Sequence, residues 1–85
     1  MQVLYFTAPW CGPCRMFKPT VENVSSELGV HVNYINVDYD ASMSERYSVT
    51  SVPTIIVLGP SGQIEYRSSG VMSKDQLSRV LNQFR

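Results

Sequence analysis

Both cysteines of the 85-residue sequence fall inside one pentapeptide, Trp10-Cys11-Gly12-Pro13-Cys14, directly after the apolar run Val3-Leu4-Tyr5-Phe6 and directly before a helical pattern. A strand must deliver the chain to the start of a helix at this point. Residues three apart on a helical turn are surface neighbours, with Cβ atoms about 5–6 Å apart, and small adjustments of the turn close that gap to disulfide geometry. The pair can therefore cycle between dithiol and disulfide. Pro13, which lacks an N–H and has φ preset for a helix, suits the first turn. A helix start also offers unpaired N–H groups and the positive end of the helix dipole. Cys11 is placed to feel that field, which stabilises a thiolate and lowers its pKa from the free value of about 8.5. Cys14, one turn further in, is expected to be more buried and less acidic. The asymmetry makes Cys11 the attacking sulfur and Cys14 the resolving one.

The remaining pattern alternates strand and helix. Residues 2–6 read as a buried strand, and residues 12–28 as a helix with Phe17, Val21, Val24 and Leu28 at spacings of three and four. Gly29 suits its C-cap, and Pro19 inside it is expected to kink it. Residues 30–37 form a β-branched run that fits a second strand, parallel to the first because a long helix separates them. A short helix follows between Asp40 and Tyr47, capped by Asp40 or by the box Ser42-x-x-Glu45. Residues 54–58 make a third strand, Gly59-Pro60-Ser61-Gly62 a turn, and Gln63 to Arg67 an alternating fourth strand in an antiparallel hairpin. Ser73-x-x-Gln76 is a capping box opening a last helix with Leu77, Val80, Leu81 and Phe84 on one face. The order is βαβαββα, an α/β fold with helices on both faces of one sheet, and 85 residues make a single domain, 1–85.

Seven basic and seven acidic side chains balance, and no run of like charge appears, so charge predicts attraction to neither nucleic acid nor membrane. Partners should be met through apolar contact. The five tyrosines read as packing residues, because no basic groove accompanies them to suggest base stacking. Met1-Gln2 runs straight into the first strand without a basic n-region or long apolar segment, so no export signal is expected and the reading is cytoplasmic. A single C-x-x-C in that context reads as a redox motif. A structural zinc site needs four ligands; the chain offers two cysteines and the lone His31, far along the sequence. His31 itself reads as a solvated strand residue, and no metal is expected.

On these residues the chain resembles the thioredoxins. Trp-Cys-Gly-Pro-Cys after a strand is that family's active-site sequence, and thioredoxin itself is one of the proteins whose thiol pKa at such a position falls in the range of about 3.5–7.5. Ser51-Val52-Pro53-Thr54 before the apolar run Ile55-Ile56-Val57-Leu58 resembles the family's cis-proline segment, and Asp38 and Gly70-Val71 match further along. The resemblance implies a thioredoxin-like fold: a four-stranded mixed sheet in the order 2-1-3-4 flanked by three helices, the long and closing ones on one face and the short one on the other. It implies reduction of protein disulfides by Cys11 and Cys14. Trp10, Gly12, Pro13, Val52, Pro53, Gly70 and Val71 would form the apolar surface that binds the target, the backbone at Val52 pairing with an extended substrate segment. It further implies a monomer with no cofactor resident in the domain, served by a thioredoxin reductase, and ribonucleotide reductase is a natural substrate by analogy.

The match departs from the family in three places. The family's extra N-terminal strand and helix do not precede residue 2, which would leave strand 30–37 at a bare sheet edge, blunted by His31 and Asn33. A buried aspartate, thought to help deprotonate the resolving cysteine, is replaced by Tyr5, and a lysine on the next strand by Tyr34. Two phenols with pKa near 10 cannot serve as that charged pair. Cys14 is therefore expected to lose its proton to water, with slower resolution near neutral pH. A glutaredoxin-like, glutathione-dependent reductase shares the βαβαββα core, but Gly12-Pro13 and Ser69-Gly70 stand where that family typically has Pro-Tyr and Gly-Gly. A non-catalytic accessory subunit of a larger assembly is the alternative from a different class.

Overall fold

The computed structural model describes all 85 residues. Its elements run β1 (Gln2–Thr7), α1 (Gly12–Leu28), β2 (Val32–Asn36), α2 (Ala41–Arg46), β3 (Thr54–Leu58), β4 (Ile64–Ser69) and α3 (Lys74–Phe84). The four strands form one sheet in the order β2-β1-β3-β4. β1 is parallel to β2 and antiparallel to β3, and β3 is antiparallel to β4. This is the order and mixture of directions that the family resemblance implies.

Period-two alternation along β1 explains the layering, since successive side chains leave a strand on opposite faces. Val3 and Tyr5 join Phe17, Val21 and Val24 of α1 and Leu77 and Leu81 of α3 in one buried cluster. Leu4 and Phe6 join Ile35, Ile56 and Leu58 on the other face, where Met43 of α2, Tyr47, Val49 and Val52 pack over them. The long and closing helices thus share one face and the short helix covers the other. Residues of β3 are buried along its whole length, as a central strand covered on both faces must be.

Several boundaries move for identifiable reasons. The second strand starts at Val32 rather than residue 30 because α1 ends in a left-handed Gly29 (φ +66°), after which Val30 N–H donates to the Ser25 carbonyl at 2.8 Å. Val30 thus belongs to the helix terminus. β4 continues to Ser69 because Ser68 and Ser69 pair with Ile55 and Thr54. Asp40 is the cap of α2: its side chain accepts from Met43 N–H at 3.3 Å and from the Ser42 hydroxyl at 2.9 Å. The Ser73–Gln76 capping box of α3 is reciprocal, as its sequence implies. α1 carries Pro19 inside it as one continuous helix of 17 residues.

Candidate active site

The first turn of α1 brings the two sulfurs together. Cys11 is the N-cap, with extended backbone at φ −89° and ψ 107°, and its side chain accepts from Cys14 N–H at 3.2 Å. Sulfur here fills the role usually taken by a serine or aspartate oxygen, satisfying one of the orphan donors of the helix start. The two cysteines are joined as a disulfide with Cα atoms 5.2 Å apart. Cys11 is 5% exposed and Cys14 only 1%, the order of burial expected from their places on the turn. Gly12 and Pro13 between them are exposed.

The other expected residues surround this pair. Trp10 is 66% exposed, and its indole N–H is shared by the two carboxylate oxygens of Asp38, at 3.0 and 3.3 Å. Val52 presents its carbonyl oxygen 3.8 Å from Cys11 Sγ, and the Val52–Pro53 peptide bond is cis. Gly70 reaches the same place from the end of β4: its N–H donates to the Pro53 carbonyl at 2.8 Å. It does so at φ +93°, a conformation that a side chain would strain. Val71, next to it, is 54% exposed. Residues from four separate stretches of the chain therefore meet around one disulfide.

Beneath the sulfurs lies the departure noted in the sequence. The Tyr5 hydroxyl donates to the Cys14 carbonyl at 2.9 Å, and its ring stands edge-on to Phe17 and Tyr34, with centroids 5.9 and 5.6 Å away. Burial pushes the Tyr5 phenol above its ordinary pKa of 10.0; the Thr7 side chain acts in the opposite direction and Tyr34 adds to the rise. Burial, and then the negative charge of Glu22, raise Tyr34 as well. Both phenols are neutral throughout the neutral range, and Tyr5 is a hydrogen-bond donor there. No Asp or Glu is among the buried residues, so no buried carboxylate stands near Cys14.

Sequence reasoning gave no role to three further features. Asp38 pins the indole across 28 residues of sequence, a separation that leaves no local signal. Beside Trp10 and Val52 a cavity of about 300 Å³ opens against α2, with Ser44, Glu45 and Val49 in its walls. On the opposite side, Cys14 lines a second cleft together with Arg15 and Lys18. The helical spacing of these two cations from the cysteines was visible in the sequence, and is the one signal that would have found them.

Known proteins match this chain along almost its entire length. The family model described as thioredoxin matches residues 1–83. The chain belongs to the thioredoxin family. It is 42% identical over 79 residues to thioredoxin of Chlamydia trachomatis serovar D, an alignment covering 91% of this chain and 76% of that protein. It is 35% identical over 79 residues to thioredoxin of Bacillus subtilis, covering 91% and 75%. Among solved structures, Fasciola hepatica thioredoxin superposes with a TM-score of 0.89 at 32% identity, covering 99% of this chain and 80% of that one. A point mutant of Halobacterium salinarum thioredoxin gives 0.90 at 29% identity, covering 98% and 73%. As a thioredoxin-family chain with its two cysteines at bonding distance, it is a thiol–disulfide oxidoreductase that reduces protein disulfides.

Proposed function

We propose that residues 1–85 work as one domain in which Cys11 is the nucleophile and Cys14 the resolving thiol. The observation that carries this reading is the Cys14 N–H bond to Cys11 Sγ. A thiolate at Cys11 keeps that donor and gains from the positive helix end, whereas Cys14 lies inside the turn with its carbonyl tied to Tyr5. In the reduced protein, the Cys11 thiolate attacks one sulfur of a target disulfide, and the other target sulfur leaves as a thiolate. Cys14, once deprotonated, attacks Cys11 Sγ; the Cys11–target bond breaks, its electron pair leaves on the target sulfur, and the internal disulfide forms. Two electrons pass from the pair to the target.

Trp10, Gly12, Pro13, Val52, Pro53, Gly70 and Val71 form the docking face in this reading, supported by the exposure of Trp10 next to Cys11 and by the Val52 carbonyl near Cys11 Sγ. The bound target would lie extended along Val52. A thioredoxin reductase returns the pair to the dithiol, ribonucleotide reductase is among the candidate targets, and the working compartment is the cytoplasm. No helix is long and apolar enough to cross a membrane. Insulin disulfide reduction driven by NADPH and thioredoxin reductase tests the reading: turnover is expected in the parent chain and is lost in Cys11→Ser. Turnover that requires glutathione and glutathione reductase instead would overturn it.

A further inference from the structure

Each cysteine of the pair has a cation four residues further along α1, Arg15 after Cys11 and Lys18 after Cys14, a spacing that places side chains on one face of a helix. The two cations are held differently. Arg15 Nη1 donates to the Pro9 carbonyl at 2.7 Å. Lys18 has no acid partner, the molecule's one ion pair being Lys74 with Glu27. Its Nζ lies 5.6 Å from the centre of the Tyr34 ring, an attraction that fixes the ammonium without neutralising it. Lys18 and Cys14 line the same cleft of about 210 Å³, whose walls include Thr7, Asn36 and Tyr34 and no carboxylate.

We propose that Lys18 supplies the charge that makes Cys14 a competent resolving thiol, its ammonium held by the Tyr34 ring at the cleft that Cys14 lines. The proposal rests on the resolving role of Cys14 given above. In the mixed disulfide, Cys14 gives its proton to water, and the thiolate left behind faces a cation one helical turn away. In general a unit positive charge about 6 Å from a thiolate lowers its pKa by about half a unit in a water-like medium, and by more where the surroundings are less polar. Tyr5 from β1 and Tyr34 from β2 are neutral phenols. Arg15 lines the same cleft and keeps its charge, but its guanidinium is held at the Pro9 carbonyl, so it adds a background that Lys18→Met leaves in place. Glu22, the acid four residues beyond Lys18 on α1, adds to the rise of Tyr34.

A stopped-flow experiment separates the two sulfurs. The dithiol protein is mixed with an aryl disulfide whose released thiolate absorbs visible light; the first release reports attack by Cys11, and the second reports resolution by Cys14. Across pH 6–10, Lys18→Met is expected to move the apparent pKa of the second phase up by about half a unit to one unit and to slow it roughly three- to tenfold at pH 7. Lys18→Arg should restore it. Identical second-phase profiles in the parent chain and Lys18→Met would overturn the proposal. So would a uniform slowing with an unshifted pKa, the signature of lost packing. A first phase with no second phase in the parent chain would instead overturn the resolving role of Cys14, and the role of Lys18 with it.

Discussion

Tyr5 does at the residue scale what a side chain charged at neutral pH would not. As a neutral donor to the Cys14 carbonyl it holds the first turn of α1 against β1 without burying a charge, which would be costly in so apolar a surrounding. A hydrogen bond of this kind is worth about 0.5–1.5 kcal/mol net, so Tyr5→Phe should lower unfolding stability by about 1 kcal/mol and leave the disulfide exchange measurable. The same phenol imposes a pH dependence whose sign follows from its raised pKa. Below the unfolded value of about 10 the group is protonated in both states and its full contribution is present. As pH rises further, the unfolded chain loses the proton first, the folded chain binds more protons than the unfolded one, and stability declines until the folded pKa is passed. Tyr34, raised for the same first reason, adds in the same direction. Denaturant midpoints taken from pH 8 to pH 11 should therefore fall above about pH 10 in the parent chain and fall less steeply in Tyr5→Phe; parallel curves would show that the buried phenol is not the group responsible.

At the scale of elements, the caps decide where helices begin, and α2 offers a direct test. The sequence left two caps open there, Asp40 and the Ser42–Glu45 box. In the structure the Asp40 carboxylate accepts both the Met43 N–H and the Ser42 hydroxyl. Asp40→Ala should then cost about 1 kcal/mol, seen as a drop of about 4–8 °C in Tm, while Ser42→Ala should cost a few tenths of a kcal/mol; the reverse order would assign the cap to Ser42. Elements of this chain were legible where one local signal dominates: 3.6-residue periodicity in α1 and α3, the reciprocal box at Ser73, the unbroken apolar run of β3. Their ends were less so, because tertiary pairing decides them. Val30 looks like strand but serves the end of α1, and Ser68-Ser69 look like loop but are drawn into the ladder by Ile55 and Thr54. The candidate site divides in the same way. Its sulfurs and their polarity follow from a pentapeptide, whereas the bond from Tyr5 to Cys14 and the grip of Asp38 on Trp10 arise only when distant stretches meet.

For the whole molecule, the two faces of the sheet are not equally strong. Ten buried residues drawn from α1, α3 and three strands form the core on one face; five strand residues form it on the other, under a helix of six residues none of which is buried. Apolar burial stabilises at about 25 cal/mol per Å², so the α2 face is joined to the sheet by much the smaller term. Local opening follows the weaker contacts. The site straddles this division: its sulfurs are carried by α1, buried through Phe17, Val21 and Val24, and its Val52 wall packs with α2 on the lighter face. The sulfurs are thus carried by the more heavily packed half, while the Val52 wall of the proposed docking face belongs to the half with the lighter packing. Hydrogen exchange measures this directly. Amides of α2 and of residues 47–52 should exchange orders of magnitude faster than those of β1, β3 and the centre of α1, which should open only with global unfolding. Uniform protection across both faces would mean that α2 is held by more than its packing, and the docking wall would then be as rigid as the disulfide beside it.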